Sequence, residues 1–164
     1  MEFRDLSRTT GNPKYEEAVS KVSEHVHTLK KTAGLVPIFI NANTGKFRQY
    51  STITLGARGD SYYEYLLKQW HQTGHSINYL KNDYNESMGG VMSKLVKRTV
   101  PNNLLFIGEI LGGGKENFKP KMDELVCFLP GTLALGVHLG MPKEHQQLAE
   151  ELAYTCYLTF AKYK

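Results

Sequence analysis

Asp60 closes the run Thr54-Leu-Gly-Ala-Arg-Gly-Asp60 and is followed by Ser-Tyr-Tyr-Glu-Tyr-Leu-Leu-Lys-Gln-Trp70. Two glycines turn the chain, and the residues behind them favour helix, so the carboxylate stands where a loop feeds a helix. Its simplest reading is a cap. Asp60 and Ser61 are favoured N-cap types, and Glu64, three positions after Ser61, completes a capping box. A cap, however, requires neither Arg58 two residues earlier nor the aromatic residues Tyr62, Tyr63, Tyr65 and Trp70 close behind. The whole string therefore marks Asp60 as a candidate for chemistry. The expected helix face is Tyr62, Tyr65, Leu66, Gln69 and Trp70.

Other short patterns carry less. His71 and His75 share the spacing of a zinc-protease pair, but Gln72 replaces the glutamate that would act as base and Gly74 ends the helix between them. Gly112-Gly-Gly-Lys-Glu116 lacks the spacer of a phosphate loop and the hydroxyl residue after its lysine, which leaves a connection. Asn85-Glu86-Ser87 is an N-glycosylation acceptor triplet. Cys127 and Cys156 lie 29 positions apart, and spacing alone leaves free thiols and a bridge both open.

These residues need elements to hold them. Phe3 and Leu6 line one side of a helix that stops at Gly11. Asn12 caps a second helix with Pro13 at its first position and a buried face of Tyr15, Ala18, Val19, Val22, Val26 and Leu29; Glu16, Glu17 and Glu24 point to solvent. Gly34 ends this region. Leu35–Ile40 and Lys46–Thr54 read as a hairpin through Asn43-Thr44-Gly45, with Pro37 restricting the first strand to an edge. Ile77, Leu80, Tyr84, Met88, Val91 and Leu95 define a long amphipathic helix in which Gly89-Gly90 marks a close approach or a kink. Leu104–Ile107 is a short strand ending at Gly108-Glu109. An apolar run around Cys127 is interrupted by Pro130-Gly131, a helix follows, and Pro142 opens the last one. Helices thus recur in pairs with short hairpins between them, and no fixed repeat length appears.

With a net charge of +4, the tightest basic pairs, Lys30-Lys31 and Lys97-Arg98, form no stripe with aromatic residues, so nucleic-acid binding is not expected. No apolar run approaches the roughly 18 residues of a membrane span, and no signal-peptide core is present.

The Leu55–Trp70 string and a second one, Lys121-Met-Asp-Glu-Leu-Val-Cys-Phe-Leu-Pro-Gly-Thr-Leu-Ala-Leu-Gly136, resemble motifs of the class I α-1,2-mannosidases, glycoside hydrolase family 47, and of their endoplasmic reticulum branch in particular. The likeness runs from Glu2 to about Tyr157. It implies a mostly α fold, a partial (α/α)7 barrel with short β-hairpins between helices, and it reads residues 1–164 as a partial catalytic domain incomplete at both ends. It implies inverting, calcium-dependent removal of terminal α-1,2-linked mannose from mannose-rich N-glycans. Asp60 matches an essential carboxylate on the acid side of that chemistry, and Arg58 matches the arginine that contacts the glycan beyond the cleaved sugar. Glu124 falls where the family places a histidine near the sugar-binding floor. Cys127 and Cys156 match a disulfide pair, which an oxidising compartment allows. The second catalytic carboxylate, the base and the calcium-holding threonine match positions outside this chain, so no metal ligand is expected within it and the segment alone is expected to be inactive. The implied location is the lumen of the endoplasmic reticulum or early secretory pathway, with membrane attachment only through a family anchor absent here. A mannose-glycan-binding quality-control protein without hydrolysis, and a helical interaction module, are the alternatives.

Overall fold

A computed structural model describes residues 1–112 and 117–162. The connection expected at Gly112–Glu116 therefore lies, apart from Gly112, outside the described residues. The helices pack in consecutive pairs: α1 (Glu2–Thr10) with α2 (Lys14–Thr28), α3 (Asp60–Gln72) with α4 (Asn78–Gly90), and α5 (Leu129–His138) with α6 (Glu144–Lys162). Two antiparallel hairpins separate the second pair from the third. In one, β1 (Val96–Arg98) faces β2 (Leu105–Ile107), with Val96 opposite Ile107. In the other, β3 (Glu109–Leu111) faces β4 (Asn117–Lys119), with Glu109 opposite Lys119.

The first pair departs from its pattern. Phe3 and Leu6 are exposed, and α1 buries Arg4 and Ser7 instead. Hydrogen bonding makes this burial tolerable. Arg4 donates through Nη1 to Glu16 Oε1 at 2.6 Å and through Nε to Gln69 Oε1 at 3.3 Å, while the Ser7 hydroxyl accepts the Glu16 N–H at 2.8 Å. Glu16 is thus an internal partner and not a solvated face residue. In α2 no residue is buried and Val22 is exposed, so the expected apolar face is only half covered. Pro13, not Asn12, takes the cap position of α2; Asn12 stands one residue before it, its Oδ1 accepting the Lys14 N–H at 3.1 Å.

Helix α3 turns a different face inward from the expected one. Tyr63, Leu66, Leu67 and Trp70 are buried, and the Tyr65 hydroxyl reaches Glu2 at 2.7 Å. Burial pushes the Tyr63 phenol above its ordinary value, and its oxygen accepts the Val36 N–H at 3.1 Å. No capping box forms, because Gly59 occupies the cap position, Asp60 is the first helical residue, and Glu64 pairs with Lys68.

Residues 35–54 do not form a regular hairpin. Only Ile40 and Phe47 bridge, supported by Arg48 N–H to Phe39 O at 2.9 Å and Ile38 N–H to Thr52 O at 3.0 Å. Pro37 has no N–H to extend the ladder, and Ile53 pairs instead with Ile110.

Gly34 fits a tight crossing. Its φ is +72°, and a Cβ there would lie 2.5 Å from the Ser87 backbone nitrogen of α4. Gly34→Ala combines a left-handed conformation, about 1–2 kcal/mol, with that collision, and is expected to lower stability by more than Gly74→Ala. Gly74 has φ +61° but open space around its Cα. Urea unfolding of the two variants checks this, and equal losses would refute the close contact. Gly90 serves the same crossing from the other side, since a Cβ there would meet Ala33 O at 2.0 Å. Beyond it the helix widens into a π turn, Val91–Leu95.

In the third pair, a 3₁₀ turn at Glu124–Phe128 runs directly into α5, with Pro130 in the first helical turn where no N–H is needed; it does not interrupt the element. The Thr155 hydroxyl donates to Leu105 O at 2.6 Å, tying α6 to β2. His145 is 2% exposed and lies edge-on to Tyr84. Burial pushes its imidazole below 6.5, with the Glu144 carboxylate pulling the other way. The folded state therefore prefers neutral His145, and its contribution is present above 6.5 and lost as the pH falls below it, where the unfolded chain takes up the proton first. The urea midpoint is expected to drop between pH 7 and pH 5, and less so in His145→Phe. Glu2 does not blur this window, since its carboxyl is held at about 2. No described helix is long and apolar enough to cross a membrane.

Candidate functional site

The Asp60 loop is built from its backbone outward. The Thr54 hydroxyl donates to Glu109 Oε1 at 3.0 Å and accepts the Gly56 N–H at 2.9 Å. The Gly56 carbonyl then accepts the N–H groups of Gly59 and Asp60, both at 3.0 Å. Gly59 is needed because a Cβ there would lie 2.1 Å from Thr54 O. The turn so formed delivers Asp60 to the N-terminus of α3. One of its oxygens, Oδ1, accepts the Ser61 N–H at 2.8 Å, and among the described residues Oδ2 has no hydrogen-bond partner. Asp60 is half-buried, neither sealed in the core nor fully in solvent. A carboxylate suits this position, where the helix pole is positive.

Arg58 sits two residues away with φ +75°, exposed, its guanidinium 5.1 Å from the centre of the Phe39 ring. The aromatic face steadies the cation without using its hydrogen-bond donors. Phe39 was not marked as a site residue by the sequence.

The second motif packs against the first: the 3₁₀ turn at Glu124–Phe128 and α5 both touch α3, and Asp123 meets the loop before it. A Cβ built on Gly56 would lie 2.4 Å from Asp123 Cβ, so the Asp123 side chain rests against the Asp60 loop. Asp123 also caps the 3₁₀ turn, its Oδ1 accepting the Leu125 N–H at 3.0 Å. Glu124 follows it and is exposed. Cys127 and Cys156 form a disulfide that joins this turn to α6. Asn85 lies apart, half-buried in the middle of α4, and Ser87 of its triplet is fully buried with its hydroxyl donated to Gly34 O at 2.8 Å.

Among the described residues, no three His, Cys, Asp or Glu side chains converge to hold a metal ion. His71 and His75 touch through their ring nitrogens at 3.2 Å, and His75 stacks on Trp70. A cavity of about 800 Å³, lined in part by Lys46, Phe47, Tyr50 and Ile110, does not include Arg58, Asp60 or Glu124. Arg58 and Glu124 are exposed and Asp60 is half-buried where the two motifs meet.

The model of glycosyl hydrolase family 47 matches residues 1–164. The chain belongs to glycosyl hydrolase family 47. Similar family 47 proteins include the endoplasmic reticulum mannosyl-oligosaccharide 1,2-alpha-mannosidase of Homo sapiens, 54% identical over 158 residues, which cover 96% of this chain and 22% of that relative. The Saccharomyces cerevisiae protein of the same name is 43% identical over 145 residues, covering 86% of this chain and 26% of its own length. In fold, this family 47 chain resembles the alpha-1,2-mannosidase from Trichoderma reesei, with TM-score 0.83, 23% identity, and coverage of 93% of this chain and 32% of that one. The mostly helical fold with short antiparallel hairpins is as the motifs implied. The chain spans about a quarter of the length of the curated relatives.

Proposed function

We propose that the whole protein carrying these residues hydrolyses terminal α-1,2-linked mannose from mannose-rich N-glycans in the endoplasmic reticulum or early secretory lumen. The observation that supports this most directly is the Asp60 loop: a carboxylate with one oxygen uncommitted among the described residues, at a helix N-terminus beside an exposed Arg58, in a family 47 chain. In this reading Asp60 works on the acid side of an inverting reaction, passing a proton toward the leaving oxygen. A second carboxyl group activates water on the opposite face. Arg58 holds the sugars beyond the cleaved bond with its fixed fork of donors. Glu124 offers acceptors to sugar hydroxyls near the floor of the site. Calcium dependence belongs to the reading for the whole protein. Among the described residues no three His, Cys, Asp or Glu side chains converge, and no step here passes through the ion.

Incubation of the whole protein with a mannose-rich N-glycan in calcium, followed by NMR of the released sugar, tests the reading. Free β-mannose is expected first, as inversion requires. The α-anomer first, or no mannose at all, contradicts it.

Glu124 favours a second reading, glycan binding without cleavage, since it places an acidic group where a histidine is expected. Glu124→His separates the two. Under the hydrolytic reading this change alters the rate of an already active protein by no more than about tenfold, below the usual range for losing an acid–base group. Under the binding reading it leaves glycan affinity in place and creates no cleavage.

A further inference from the structure

We infer that Glu109 is a positioning residue that sets the conformation of the Asp60 loop through Thr54. The functional meaning of this role rests on the reading above; its structural content does not.

Glu109 is 8% exposed, on a strand whose neighbours Ile107 and Ile110 are also buried. A buried carboxylate is tolerated where it is hydrogen-bonded, so its partners are informative. Oε1 takes both of them, the Thr54 hydroxyl at 3.0 Å and Lys121 Nζ at 3.4 Å. An ionised carboxylate can only accept, so the single Thr54 hydroxyl proton points at Glu109 and an oxygen lone pair is left for the Gly56 N–H. Thr54 is itself buried, with no solvent to supply a substitute.

From Gly56 the chain of bonds runs to Asp60 without a gap, because the Gly56 carbonyl accepts the N–H groups of Gly59 and Asp60. The Thr54 carbonyl lies where a Gly59 Cβ would be, so a shift of Thr54 moves the turn at two points. Register fixes the other end. Ile53 and Ile110 exchange both backbone hydrogen bonds, at 2.9 and 3.0 Å, which places Thr54 and Glu109 side by side. Lys121 opens the second motif, so Glu109 links the two motifs, which also touch at Gly56 and Asp123.

The test compares Glu109→Ala with Glu109→Gln in the chain, by amide resonances and hydrogen exchange. Glu109→Ala is expected to shift the Gly56 and Asp60 resonances and to speed exchange at both at least tenfold, with amides of α5 unchanged. Glu109→Gln keeps an oxygen for the Thr54 hydroxyl and is expected to restore protection to within threefold. Uniform acceleration over all helices, or unchanged Gly56 and Asp60 amides, overturns the inference. Should Glu109→Ala not fold, Thr54→Val removes the same link and is read by the same criteria. In the whole protein, Glu109→Ala is expected to lower kcat at least tenfold with KM within threefold, and Glu109→Gln to recover most of it. A wild-type protein that releases no mannose defeats the hydrolytic reading, while the exchange result still decides the role of Glu109.

Discussion

Removing the Cys127–Cys156 bond is expected to lower the stability of the folded chain by roughly 3–4 kcal/mol, the chain-entropy value for a closed loop of this length. That is a large share of the roughly 5–15 kcal/mol that holds a domain together. The closed loop runs from the end of the 3₁₀ turn through the whole of α5 to Cys156 in α6, so the unfolded chain regains the freedom of this stretch when the bond is cut. Cys156 is buried and Cys127 half-buried, and the pair of α5 and α6 packs around them. The measurement is urea unfolding followed by the single tryptophan, Trp70, which is 5% exposed and reports on the core. Reductant should move the midpoint of the wild type and leave a Cys127→Ala/Cys156→Ala variant where it already is. A double variant as stable as the oxidised wild type would show that packing, not the covalent link, holds this corner. The turn carrying Asp123 and Glu124 sits at one end of the bond, so loosening there is expected to reach the second motif before the first helix pair.

What could be read ahead of the structure was local. The turn at Gly56 and Gly59 feeding a helix, the stop at Gly11 and the short strand expected at Leu104–Ile107 each depend on residues within a few positions of one another, and each is present, the strand as Leu105–Ile107. Pairing of helices also follows from short connections. What failed depended on distant partners. Ile53 finds Ile110 on the second hairpin, so the segment before it is left with a single bridge. Nothing near Arg4 in the sequence announces its burial, which depends on Glu16 and the distant Gln69. In α3 the capping box lost to a competing local pair, Glu64 with Lys68.

The site divides along the same line. Asp60 and Arg58 stood out through the string they share, while Glu124 and the pairing of the two cysteines came only through the resemblance of the strings to family 47 motifs. Glu109 and Phe39 support them from segments outside both strings, while Thr54 and Asp123 lie within the strings and show their contacts only in the fold. One signal was present. Ile107-Gly-Glu-Ile-Leu111 puts a single carboxylate into an apolar strand, and a charge in such a place implies a partner.

Asp60→Asn is expected to reduce mannose release by the whole protein about 10²–10⁴-fold, the range for losing a positioned acid–base group, while leaving the fold almost untouched. The two effects separate because Asp60 has two duties, one on each oxygen. Oδ1 accepts the Ser61 N–H, and an asparagine oxygen does this equally well at a helix start. Oδ2 has no partner among the described residues, and it is this oxygen that becomes an amide nitrogen, able to donate but unable to take or pass a proton at neutral pH. The stability of the Asp60→Asn variant is therefore expected to stay within about 0.5 kcal/mol of the parent, as for a surface substitution that keeps its hydrogen bond. Glycan binding should survive in part, since Arg58 and its Phe39 support are unchanged. Retention of more than a tenth of the parent rate by a properly folded Asp60→Asn protein would remove Asp60 from the reaction and reduce it to a helix-start residue. A lost rate accompanied by a lowered urea midpoint would instead assign the effect to the turn that Thr54, Gly56 and Gly59 build beneath it.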